Sequence, residues 1–234
     1  MSGIEAAKKL YKTCRNMDIE ETMELMLNAE TEEEEEFFSL LSDFILQRKQ
    51  KEVIEQMKEK IVLASVEDVK HVGNMYDAVN DYFEKHENYC YPNWQKGKYP
   101  VLEDAKKAME NQTLYVLKTE EGIAGAIIID HTQHSEYKKI SWTLQVPDES
   151  VMTMHTVVVA PDYRGRGFGE KLVRFGIDFC KNSGAKTIRL DTHYKNVPAR
   201  RLYEKCGFVS LGCHKVFVDG IVQEFDVFEY NTDK

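Results

Sequence analysis

No stretch of the 234-residue chain approaches the roughly 18 to 20 consecutive apolar residues needed to cross a bilayer. The opening residues Met1-Ser2-Gly3-Ile4-Glu5 lack a basic segment followed by an apolar one, so a cytoplasmic protein without a membrane partner is expected. Basic excess is also missing: 31 Lys and Arg face 40 Asp and Glu, a net charge of -9, and no nucleic-acid partner is expected. The five cysteines, Cys14, Cys90, Cys180, Cys206 and Cys213, are odd in number, widely spaced and never arranged C-x-x-C. Neither a disulfide framework nor a zinc site is indicated, and no metal is expected. No string G-x-x-x-x-G-K-[ST] occurs, which removes the Walker phosphate loop.

What remains, 42% hydrophobic and 30% charged residues, suits a soluble chain with one domain or one domain plus an appendage. Residues 1–58 hold 14 acids against 8 bases, contain no proline, and space their apolar residues helically, as in Phe37, Phe38, Leu41, Phe44 and Ile45. Thr31, three residues before Glu34, is placed to cap a helix whose first turn carries the run Glu32 to Glu36. A helical extension over 1–58 and a second domain over 59–234 are therefore expected.

In the second part, Ile61–Ala64 reads as a strand, Val66–His86 as a helix and Leu102–Met109 as a short helix, with an aromatic-rich loop over 87–100 between the two helices. Strands follow at 113–119 and 123–130, separated by Glu120-Glu121-Gly122, and at 151–160. The pattern then alternates: helix 168–182, strand 186–192, helix 197–206, and strands near 208–218 and 221–230 joined by a tight turn at Asp219-Gly220.

The segment with chemistry in it runs from Val157-Val158-Val159 through Arg164-Gly165-Arg166-Gly167-Phe168-Gly169 into a helix. Such a turn lets several N–H groups converge on one anion at a helix N-terminus, so it should bind phosphate or pyrophosphate. The dinucleotide fingerprint G-x-G-x-x-G fits less well, because Glu170 stands where the third glycine belongs, although Asp191 ends the next strand where a ribose-binding acid would fall.

The segment resembles motif A, [QR]-x-x-G-x-[GA], of the GCN5-related N-acetyltransferases, through Arg164, Gly167 and Gly169. Asn196, Ala199, Leu202, Tyr203, Gly207 and Phe208 resemble motif B of that superfamily, in the expected order. The resemblance covers roughly residues 60–230. It implies an α/β fold with a central mixed, mostly antiparallel sheet flanked by helices, here carrying an N-terminal all-helical extension. It implies acetyl-CoA as cosubstrate, its pyrophosphate on the amides of 164–169 and its pantetheine beside Val157, Val158 and Val159, with Asn196 nearby. It also implies direct acetyl transfer to a primary amine, on a small molecule or a protein, with Tyr203 as the acid that protonates the thiolate.

The family's strand glutamate before motif A is absent from Val151–Thr156, and His155 is the substitute base, expected to share a strand face with Thr153, Val157 and Val159. Tyr91, Trp94 and Tyr99 are candidates for the acceptor pocket, Trp142 for packing, and His193 for a structural or rim position beyond its strand. A non-catalytic acyl-CoA sensor, an interaction module built on the N-terminal helices, and a homodimer stay open as alternatives.

Overall fold

The computed structural model describes residues 2–86, 94–218 and 221–233, the side chains of 51–58, 216–218 and 221 excepted. Tyr91, Cys90 and the Asp219-Gly220 turn lie outside the described residues. The chain divides into two compact units, Met1–Glu59 and Lys60–Lys234.

The first unit contains α1 (Gly3–Asn16), α2 (Ile19–Leu27) and α3 (Glu32–Lys58). Each begins with a polar cap that satisfies amides left over by helix geometry. Ser2 and Glu5 exchange bonds at α1, and Asp18 and Glu21 do so at α2. At α3 the Thr31 hydroxyl accepts from Glu34 N at 3.1 Å, as the spacing predicts, while Glu34 reaches back one residue further, to Glu30 N.

The second unit is built on seven strands: β1 (Lys60–Leu63), β2 (Leu114–Thr119), β3 (Gly122–Asp130), β4 (Val151–Val159), β5 (Thr187–His193), β6 (Val209–Val218) and β7 (Ile221–Asn231). They lie in the order β1-β2-β3-β4-β5-β7-β6, antiparallel throughout except for β4 and β5. That parallel pair is joined by α6 (Phe168–Asn182), the crossover such a pair requires. The β2–β3 turn is tighter than the sequence suggests, because Gly122 already pairs with Thr119.

One sheet face is covered by α4 (Val66–Lys85) and α5 (Leu102–Glu110), which bury Val72, Tyr76 and Ala105 against Leu114, Val116 and Ala126. On the other face Leu172, Val173 and Ile177 of α6 pack on Leu117, Ile127 and Ile129, together with Tyr203 of α7 (Val197–Lys205).

β4 does not keep a plain alternation. Opposite Ala126 and Ile128 it supplies Val158 and His155, one residue more than the partner strand, and Thr156 takes a φ of 48°. A bulge of this kind reverses the faces beyond it. Met152 and Met154 point to the α6 side before the bulge, and Val157 and Val159 do so after it. His155 therefore shares a face with Thr153 but not with Val157 and Val159, contrary to simple alternation. Gly125 permits the tight approach, since a Cβ there would stand 2.6 Å from the Val158 carbonyl oxygen.

The long β3–β4 connection folds back over the sheet. Tyr137, Ile140 and Trp142 bury against Val227, and the Trp142 indole donates to Tyr137 O at 2.9 Å. Beneath it lies Arg189, its guanidinium 4.2 Å from the Trp142 ring and its Nε 3.6 Å from Glu229. Both charges are buried, and Glu229 also accepts from Thr143 N and its hydroxyl. Removing one member of a buried pair leaves the other uncompensated. Glu229→Ala is expected to cost about 3–5 kcal/mol, read from the urea midpoint; a loss below about 1 kcal/mol would show that the pair does not hold the connection in place.

Candidate active site

β4 and β5 pair only from Val151–Thr153 to Thr187–Arg189. Past that point β4 keeps its bonds to β3 through Val158 and Val159, and its other edge opens onto a cavity of about 1260 Å³. The same cavity is reached by the loop 163–169, by the end of β5 and by the start of α7.

At the loop, Gly165 and Gly167 have φ of 76° and 83°, the left-handed region that a Cβ disfavours, and Gly167 caps α6. A Cβ at either would meet nothing within 4 Å, so conformation and outside access demand glycine here. Among the described residues no protein group accepts from the amides of 165–170, which gather at the helix N-terminus as an anion-binding edge. Phe168 is buried beneath the turn and Gly169 lies against Leu202. The Arg164 guanidinium sits 4.9 Å from the Tyr82 ring and 5.2 Å from the Phe83 ring. Arg166 faces Glu121 at 3.3 Å. Glu170 is neutralised by Arg174 and by Lys205, so it does not oppose an anion at the helix end.

Deeper in, His155 Nε2 lies 3.2 Å from Asp130 Oδ1 and 3.0 Å from Thr132 O. Both oxygens accept, so Nε2 carries a proton and Nδ1 holds the lone pair of the neutral ring. Burial is the largest influence and lowers the imidazole pKa, but the Asp130 carboxylate, together with Asp191 and the Thr132 carbonyl, outweighs it and the net shift is upward. Asp130 is held below its ordinary value by that same histidine despite its own burial. Sequence reasoning missed Asp130; its place at the end of the apolar run Ile127–Ile129 was the available sign.

Tyr203 is buried between Phe208 and Phe228, with ring centroids 6.1 and 5.5 Å away, and lines the cavity. Burial, then the nearby Asp191 charge, push its phenol pKa well above 10. Asp191 itself receives a 2.5 Å bond from the Tyr137 hydroxyl, and Tyr137 belongs to the connection that the sequence left unassigned. Asn196 lines the cavity, but both ends of its amide serve the protein: Oδ1 caps α7 at Ala199 N and Nδ2 donates to Thr192. Trp94 and Tyr99 also line the cavity, and the Tyr99 hydroxyl meets the Thr156 hydroxyl at 3.1 Å. His193 is the last residue of β5 rather than beyond it, edge-on to Phe225, and burial lowers its pKa.

A family model described as the acetyltransferase (GNAT) family matches residues 74–208, more than half of the chain. This chain belongs to the GNAT acetyltransferase family. Streptothricin acetyltransferase of Streptomyces lavendulae is 33% identical over 73 residues, 31% of this GNAT chain and 39% of the relative. The chain spans less than half the length of the curated relatives it matches. Among solved structures, a GNAT-family acetyltransferase from Streptococcus agalactiae superposes with a TM-score of 0.62 at 19% identity, over 75% of this chain and 96% of that one. The yncA protein of Salmonella typhimurium, solved with its cofactor acetyl-CoA, does so at 0.56 and 15%, over 76% and 95%. Both share the mixed sheet with flanking helices. No described helix is long and apolar enough to cross a membrane, and no described group of His, Cys, Asp or Glu could hold a metal ion.

Proposed function

We propose that this protein is an N-acetyltransferase that moves acetyl from acetyl-CoA to a primary amine by direct attack in a ternary complex. The observation that carries the reading is continuity: one cavity joins the unpaired loop amides, the open edge of β4, and the His155 and Tyr203 side chains. Bound acetyl-CoA supplies an activated thioester carbonyl. The loop amides of 165–169 hold its pyrophosphate, the Arg164 amide being already bonded to Pro161 O, and the free edge of Val157, Val158 and Val159 holds the extended pantetheine as a neighbouring strand would be held. Asn196 fixes the start of α7, and Trp94 and Tyr99 shape the wall where the amine enters. A backbone N–H of the same β4 edge stabilises the carbonyl oxygen as it gains charge.

An amine with a lysine-like pKa of about 10.4 is cationic near neutrality and must lose a proton before it attacks. His155 Nδ1 takes that proton, and Asp130 orients the ring from the other side. Nitrogen then forms its bond to the acetyl carbon, the carbon–sulfur bond breaks, and sulfur takes the Tyr203 proton. The second proton leaving nitrogen restores the phenol.

Initial rates varied in both substrates test the order of events: intersecting reciprocal lines are expected, and parallel lines would contradict direct attack. The base is tested by pH. Because the carboxylate raises the His155 pKa, the acid limb of kcat/KM should lie above 6.5, the ordinary histidine value. Asp130→Asn removes the carboxylate and leaves the burial, so the limb should move to lower pH while the plateau falls. An unmoved limb would exclude the pair.

A further inference from the structure

Asp191 sits at the centre of the groups assembled so far. Its charge is felt by Tyr99, Tyr137, His155 and Tyr203, which come from the aromatic loop, the β3–β4 connection, β4 and α7. One carboxylate oxygen, Oδ2, accepts from the Tyr137 hydroxyl. The other, Oδ1, receives no hydrogen bond from the described residues, and the residue lines the cavity. Burial makes this anion costly to keep, and one phenol bond satisfies half of it.

From this arrangement we propose that Asp191 Oδ1 is the acceptor anchor, receiving the substrate as a protonated primary amine. The proposal rests on the acetyltransferase reading and deepens it. Near pH 7 an alkylamine is cationic in all but about one molecule in 10³ to 10⁴, so a site that binds the cation draws on nearly the whole population. The anchored ammonium then lies near His155, whose neutral ring is the base, while the Tyr137 hydroxyl favours the ionised form of Asp191. Tyr137 is a positioning residue: it fixes the carboxylate rotamer from a connection that the Arg189–Glu229 pair holds to the sheet. The substrate class that follows is a cationic alkylamine. A neutral arylamine leaves the carboxylate without its counter-charge.

The full chain is assayed for thiol release with spermidine, an alanine-initiated peptide and Nα-acetyl-lysine amide, and the best of the three is carried forward. Asp191→Asn should raise KM for that amine about 10- to 100-fold, the effect of one charge-assisted hydrogen bond, with kcat changed less than about 5-fold and acetyl-CoA affinity unchanged. Tyr137→Phe, which keeps the carboxylate, should raise KM less than about 5-fold. An unchanged KM in Asp191→Asn, or an equal rise in Tyr137→Phe, overturns the anchor. In the unsubstituted protein, the guanidinium derivative of the chosen amine, which keeps the charge and the N–H donors, should inhibit at least about 10-fold more tightly than its neutral hydroxyl analogue; equal inhibition overturns the anchor without any variant having to fold. Acetyl-CoA binding with no thiol release from any amine would instead be a failure of the acetyltransferase reading, and so is told apart.

Discussion

Gly167→Glu should reduce acetyl-CoA affinity by more than about 100-fold while leaving the fold intact, an effect larger than loss of one charge-assisted hydrogen bond. Gly167 caps α6 at a φ of 83°, so any side chain there costs about 1–2 kcal/mol of backbone strain. Within the protein a Cβ at this position meets nothing. The strain is local, and the added carboxylate stands in open space at the turn that is proposed to hold an anion. Gly167→Ala separates the two effects: it shares the strain but adds neither length nor charge, and should lose less than about 10-fold. Affinity is read by calorimetry and the fold by thermal melting. If Gly167→Glu binds acetyl-CoA normally, the pyrophosphate does not lie on this turn.

Tyr203→Phe should lower kcat by about 10- to 10³-fold with little change in acetyl-CoA affinity. Burial and the Asp191 charge keep the phenol protonated across the working pH range, so the proposed acid holds its proton. A thiol pKa of about 8.5 makes the thiolate a fair leaving group unaided, which bounds the loss. The ring itself packs against Phe208 and Phe228, and phenylalanine preserves those contacts. A rate within about 2-fold of the parent would move the acid role elsewhere, since general acid catalysis is worth far more than that.

The positions that could be read in advance are those fixed by local chemistry. Alternating and helical spacing located α6, β5 and α7 to within a residue or two, and the glycine turn was legible because its backbone conformation excludes other residues. What stayed hidden depends on distant pairing. The bulge at Thr156 arises from the register of β4 against β3, so His155 was assigned to the wrong face relative to Val157 and Val159. Asp130, 25 residues from His155, and Tyr137, 54 residues from Asp191, meet their partners only through the sheet order. The β3–β4 connection carried no regular pattern, yet it delivers the Tyr137 hydroxyl to the site. Asn196 carries a motif match, and its amide oxygen also caps α7.

The central claim, that one cavity brings acetyl-CoA and an amine together for transfer, is tested most directly by titrating the full chain with acetyl-CoA in a calorimeter and then adding the amine panel while free thiol is followed. Saturable one-site binding followed by amine-dependent thiol release is the predicted result. No binding, or binding with no release from any amine, would contradict the account.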